Sequence, residues 1–154
     1  MSRRPQWQEA HFDAASDSQS LADSLYALVA RFRGTGRVDF SFLLHLPPVL
    51  AIPGAVEAAG YRICEAAIDN ALRHASARRV TVELSWRHGK LIVRVGDDGV
   101  GFDPIGPRPE EHRRGGLERM EDVARAAGGS LSLRSAPGAG TCISALFPVE
   151  MTPD

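Results

Sequence analysis

Apolar residues recur along this chain with two periods, and the switches between them mark its elements. In "LADSLYALVARF" the apolar positions Leu21, Leu25, Leu28, Val29 and Phe32 fall three and four apart, which predicts a helix stopped by Gly34. "RVDFSFLLHL" reads as a strand closed off by "PPVLAIP". From Ala55 to Ala75 a long helix is expected, with Ile63, Ala67, Ala71 and Ile68, Leu72, Ala75 building its apolar side. The period then changes to two. "RVTVELSWR" and "KLIVRVGD" alternate around "HG", predicting a hairpin with Val80, Val82, Leu84 and Trp86 on one face and Leu91, Val93, Val95 and Asp97 on the buried face of its partner. Residues 103–115, "DPIGPRPEEHRRG", carry no apolar period and read as a long irregular loop. "LERMEDVARAAGG" is a helix that follows Gly115-Gly116 and ends at Gly128-Gly129, and "SLSLRSA" and "TCISALF" are strands around "PGAG". The order helix, strand, helix, two strands, helix, two strands implies an α+β fold. The expected form is a two-layer sandwich with a mixed, mostly antiparallel sheet and about three helices on one face.

Composition narrows the function classes. With 154 residues, 44% hydrophobic and 24% charged, the chain fits one globular domain with a sizeable core. The division expected is a polar tail or upstream linker over 1–20, the domain over 21–150 and a short tail over 151–154. A net charge of -1 supplies no general field for nucleic acid or acidic lipid, so anion binding has to be local. No run approaches the roughly 18 apolar residues of a membrane helix, and the first residues lack a signal peptide's apolar core, so a cytoplasmic chain without membrane insertion is expected. Cys64 and Cys142 lack metal-ligand spacing and are expected to be buried thiols.

The stretch "GDDGVGFDP" at 96–104 follows a strand directly. Asp-Gly pairs make tight turns without further purpose. Here, however, the period of two aims Asp97 at the apolar side, where a carboxylate needs a partner, whereas a solvent turn needs only Asp98.

Three segments together carry a resemblance: "YRICEAAIDNALRHASARRVTVEL", "VGDDGVGFD" and "GGLERMEDVARAAGGSLSLRSAPGAGTCISALFPV". They resemble the N box and glycine boxes of the GHKL, or Bergerat-fold, ATPases. They are most similar to the ATP-binding catalytic domains of bacterial sensor histidine kinases of the nitrate-sensor (NarL-partner) type. The resemblance implies that Asp97 accepts from the exocyclic amine of adenine, with Gly99 and Gly101 letting the backbone turn close to the purine. It implies that Asn70 helps hold Mg²⁺ at the phosphates of ATP, and that Arg73 and His74, on the same helical face, reach phosphate oxygens. Gly115 and Gly116 precede the next helix, whose free N–H groups suit a phosphate tail, and Arg114 and Leu117 on either side of them are included in the implied ATP site. The 103–115 loop becomes a lid over ATP, with Arg113 and Arg114 as phosphate contacts. Gly140 and Thr141 complete the adenine pocket, the Thr141 hydroxyl supporting Asp97 directly or through water.

The chain departs from the pattern at two places. Ala66 stands four positions before Asn70, where these kinases usually carry Glu or Asn, and Arg114 stands where a first glycine is common. Glu65, one position earlier than Ala66, is the candidate to polarise the nucleophile, yet it lies about 140° around the helix from Asn70. The five histidines are followed by Phe, Leu, Ala, Gly and Arg, so none resembles a phosphoacceptor followed by an acidic residue. The implied partners are therefore ATP, a histidine-bearing dimerisation domain upstream or in trans, and a response regulator, with the isolated domain a monomer. Two other functions fit the same fold: a non-catalytic nucleotide-binding regulator, and a serine kinase of the anti-sigma-factor type.

Overall fold

The computed structural model describes residues 20–34, 36–74, 76–104 and 116–151, His74 without its side chain. Helix α1 (Leu21–Arg33) opens at Ser20, whose side chain accepts from the Asp23 N–H, and buries Leu21, Leu25, Leu28 and Val29, the stripe its spacing predicts. Strand β1 (Asp39–His45) follows, tied back to α1 by Arg33, whose Nε and Nη2 both donate to the Phe40 carbonyl. Helix α2 (Gly54–His74) is the longest element. After it come β2 (Arg79–Arg87), β3 (Lys90–Asp97), helix α3 (Gly116–Ala126), β4 (Ser130–Ser135) and β5 (Thr141–Pro148).

The five strands form one sheet in the order β1-β2-β3-β5-β4. β1 runs parallel to β2, because α2 carries the chain back across the sheet, and the other pairings are antiparallel. The β2–β3 hairpin turns on His88 (φ 52°) and Gly89 (φ 77°), two consecutive left-handed residues whose twist matches that of the strands. Its register sets Val80 opposite Asp97, and β5 sets Thr141 opposite Asp97 on the other side. Even-numbered β2 residues and odd-numbered β3 and β5 residues face the helices: Val80, Val82, Leu84, Leu91, Val93, Val95, Ile143, Ala145 and Phe147 are buried beneath Ile63, Ala67, Ile68 and Ala71 of α2. Trp86 closes that row at the sheet's end, its indole N–H donating to the Val149 carbonyl at 2.7 Å. Ser85 is a surprise: alternation turns it away from the helices, yet it is 1% exposed and its hydroxyl has no hydrogen-bond partner.

The two thiols differ. Cys64 is buried on α2, as expected, whereas Cys142 is half-exposed. Cys142 lies one residue from Thr141 and Ile143 and so points to the open side of the sheet, away from the core.

Helix α3 ends where Gly128-Gly129 predicts. The Gly129 N–H donates to the Ala124 carbonyl and the Gly128 N–H to that of Arg125, while Gly128 takes a left-handed backbone (φ 84°). A Cβ at Gly129 would drive into the Leu146 carbonyl oxygen and the Phe147 ring, whereas one at Gly128 meets nothing within 4 Å. Gly129→Ala is therefore expected to cost about 2 kcal/mol or more by overpacking, and Gly128→Ala about 1 kcal/mol by backbone strain alone. Urea unfolding midpoints of the two variants should rank in that order.

Candidate functional site

Asp97 ends β3 on the helix side of the sheet, half-buried. Its carboxylate accepts from the Gly99 N–H at 2.8 Å, closing a local turn, and from the backbone N–H of Thr141 across the strand pair. Burial pushes its pKa up; the two N–H groups pull it back, and the neighbouring Asp98 charge adds to the rise. No cation among the described residues pairs with it. A carboxylate has about four acceptor positions. The acceptor capacity that Gly99 and Thr141 leave over is open to a donor from outside the chain.

Ser135 holds this corner together. Its hydroxyl accepts from the Phe102 N–H at 2.9 Å, donates to the Gly140 carbonyl at 3.0 Å and meets the Thr141 hydroxyl at 2.9 Å. Since the single Ser135 proton goes to Gly140, Thr141 is the donor in that last contact. The Thr141 hydroxyl thus does not donate directly to Asp97, and its support comes through the main chain. Ser135 is absent from the sequence-based site, although a serine just before "APGAG" suits a residue that ties a turn to its own strand end. Within the acidic turn the left-handed backbone falls on Gly101 (φ 63°), where a Cβ would strike the Ala136 carbonyl oxygen. Gly140 (φ 75°) is packed as tightly against the Asp97 carbonyl oxygen. These glycines are needed for strand ends to approach this closely.

Asp98 behaves oppositely to its neighbour. It is exposed, and its Oδ1 accepts from the Arg79 N–H at 2.9 Å and the Arg78 N–H at 2.8 Å, which hold its pKa below the usual value.

On α2, Asn70 abuts the first residue of α3: a Cβ at Gly116 would lie 3.5 Å from both atoms of the Asn70 amide. Among the described residues that amide has no hydrogen-bond partner. Leu117 packs against the core beside it. A groove of about 550 Å³ between the three helices is lined in part by Asn70, Gly116, Glu65, Ala66, Asp69 and Arg119. Ala66 presents no polar group there. Glu65 reaches instead toward α1, its Oε2 3.6 Å from Arg31 Nη2. Arg73 donates to Asp69 at 2.9 Å in an exposed i,i+4 pair. The structure thus joins Asp97, Gly99, Gly101, Gly140 and Thr141 in one cluster and Asn70, Gly116 and Leu117 in another. Arg113, Arg114, Gly115, the loop from 105 onward and the His74 side chain lie outside the described residues.

The family described as histidine kinase-, DNA gyrase B- and HSP90-like ATPase matches residues 55–151, from the start of α2 to just past β5. The chain belongs to this family. Among curated relatives, an uncharacterized sensor-like histidine kinase of Chloroflexus aurantiacus is 36% identical over 98 residues, covering 62% of this chain and 16% of that protein. The sensor protein VraS of Staphylococcus saprophyticus is 35% identical over 99 residues, covering 64% and 28%. The chain thus spans less than a third of the length of these relatives. The histidine kinase domain of a blue-light activated histidine kinase from Erythrobacter litoralis superposes with a TM-score of 0.68 at 23% identity, over 89% of this chain and 67% of that one. Acinetobacter baumannii histidine kinase AdeS gives 0.63 at 14%, over 85% and 66%. At such identities the solved structures speak for the fold, an α+β sandwich of the histidine kinase ATPase type.

The two aspartates carry opposite signs in a pH experiment. The lowered pKa of Asp98 means that its stabilisation is present above the unfolded value near 4 and lost as pH falls through the lower folded value. Asp98→Ala should be less stable than the parent at pH 7, and its unfolding midpoint should fall less steeply with acid below about pH 4. The raised pKa of Asp97 means that its ionised form burdens the fold above that pKa. Asp97→Asn should melt at no lower temperature than the parent at pH 7.

Proposed function

We propose that this chain is the ATP-binding catalytic domain of a two-component sensor histidine kinase, acting in the cytoplasm and spanning about residues 21–150 of a larger assembly. It binds ATP with Mg²⁺ and presents the γ-phosphate to a histidine on a dimerisation domain outside this chain, from which the phosphoryl group passes to a response regulator. The likeness of the three quoted segments themselves to those of the nitrate-sensor (NarL-partner) kinases supports that subtype.

The observation that carries this reading is the half-buried Asp97 carboxylate, fixed by two N–H groups, unpaired by any cation among the described residues, and thus a pre-set acceptor for an amine such as that of adenine. Gly99, Gly101 and Gly140 keep side chains away from the same corner. Asn70 and the Gly116 end of α3 suit the phosphates, the helix N-terminus through its free N–H groups and the amide through its oxygen. The residues present fit Mg²⁺, because that cation keeps several waters and shares phosphate oxygens, so the unpartnered Asn70 oxygen suffices where no cluster of three acidic, His or Cys side chains exists among the described residues. When bound, Mg²⁺ supplies neutralisation of phosphate charge. The chain's own part is to seat the base, hold the phosphates at the α2–α3 junction and orient them toward the incoming histidine. Arg73, His74, Arg113, Arg114, Gly115 and the 103–115 lid are the proposed phosphate-side contacts.

Ala66 and the engagement of Glu65 with Arg31 favour a second reading, a nucleotide-binding regulator with little transfer activity. Two experiments separate the readings. Asp97→Asn should weaken binding of a fluorescent ATP analogue roughly 10- to 100-fold, the cost of one charge-assisted hydrogen bond, and unchanged affinity would refute the adenine assignment. With γ-labelled ATP and a histidine-bearing helical hairpin supplied in trans, acid-labile label is expected, raised by Ala66→Glu. Acid-stable label would identify a serine kinase, and no label alongside intact ATP binding would identify the regulator.

A further inference from the structure

The open face of the sheet carries a hollow of about 570 Å³ at the end of the strands where Asp97 sits. Its floor is the cross-strand row Thr81, Gly96, Cys142 and Arg134, one residue along from the row Val80, Asp97, Thr141 and Ser135. Successive strand residues face opposite sides, so the hollow opens on the face away from the helices, although Asp97, Ser135, Gly140 and Thr141 also border it at the strand ends. Gly96 explains why it exists: the floor lacks a side chain at its centre, and an added Cβ there would meet nothing within 4 Å. Ala136 and Ala139 of the β4–β5 turn raise one rim, and Arg79 with Asp98 forms the other.

Charge distinguishes the two sides. The Asp98 carboxylate, held by the backbone N–H groups of Arg78 and Arg79, stands at the Arg79 rim, and the Asp97 carboxylate borders the same side. Arg134 is exposed and has no ion-pair partner among the described residues. An anionic group is therefore drawn to the Arg134 side and repelled from the side of Asp97 and Asp98.

We propose that this hollow binds small planar organic anions, the acidic group on the fork of Arg134 and the flat body on the bare backbone at Gly96, with the Thr81 hydroxyl beyond. The volume lies within the range of small-molecule pockets, a guanidinium takes carboxylate, sulfonate or phosphate through two parallel N–H groups, and backbone without a side chain offers a ring a flat seat. The hollow borders the corner proposed for the base, but its test reads Arg134, Gly96 and Cys142, none of which that reading uses.

Cys142, on the floor and half-exposed, reports on the hollow. Cys64 stays silent, because it is buried and its thiol pKa is pushed up to about 12, chiefly by that burial. In the folded chain the ratio of alkylation rates by anionic iodoacetate and neutral iodoacetamide at Cys142, read by peptide mass, should be about threefold above the ratio in the same chain unfolded in urea. That is the order of effect one unpaired positive charge exerts at short range in water. Arg134→Gln should return the ratio to the unfolded value. The planar carboxylate 2-naphthoate, at millimolar concentration, should slow iodoacetamide in the parent and not in Arg134→Gln. Gly96→Leu, which fills the hollow without strain in the sheet, should abolish calorimetric binding of 2-naphthoate while keeping the parent's melting temperature within a few degrees. A folded ratio equal to the unfolded one, or 2-naphthoate binding that survives Gly96→Leu, overturns the proposal.

Discussion

A carboxylate half out of water at the end of a central strand, held by backbone N–H groups and by no cation among the described residues, constrains everything packed around it. Asp97 is kept in place by the Gly99 N–H from its own turn and the Thr141 N–H from β5. Each needs a neighbour to hold still. Thr141 is steadied by Ser135, Ser135 also ties Phe102 and Gly140, and Gly101 and Gly140 permit the approach that brings these strand ends together. The polar groups satisfy one another while leaving part of the carboxylate uncommitted, and an uncommitted acceptor in a partly desolvated corner is what recognition of a donor requires.

The sheet provides the rigidity behind that corner. Because α2 returns the chain across the sheet, β1 adds parallel to β2 while β2, β3, β5 and β4 pair antiparallel, and the Asp97 row lies at the end of the four strands β2, β3, β5 and β4. The same crossover lays α2 over the core and brings Asn70 to the first residue of α3. One helix thereby supplies both apolar cover for the sheet and a polar group at the junction proposed for the phosphates. The opposite face of the strands is left open, and the absence of a side chain at Gly96 turns that face into a second concave surface.

Much of this was legible in the sequence. The stripe of α1, the alternation of β2 and β3, the His88-Gly89 turn and the paired glycines after α3 are local signals, and each produced the expected element because nothing distant competes with it. The inward direction of Asp97 was also legible, since a period of two carries side-chain direction from Leu91 to the strand's end. Ser135 was not, because its role depends on Phe102, far away in the chain, arriving beside it. The exposure of Cys142 follows from alternation yet was hidden by the apolar character of its strand.

What the sequence determined by itself was therefore periodic: which residues form helices and strands, where they stop, and which side of each strand is apolar. Backbone sterics and hydrophobic burial act within a few residues, so such information survives in a one-dimensional string. Only the tertiary structure decided which polar atoms share protons. It turned the Thr141 hydroxyl to Ser135 rather than to Asp97, drew Glu65 toward Arg31, set Asn70 against Gly116, and buried Ser85 without a partner. Hydrogen bonds and ion pairs act over about 3 Å between groups far apart in the chain, and only the packing of the sheet against its helices fixes such distances.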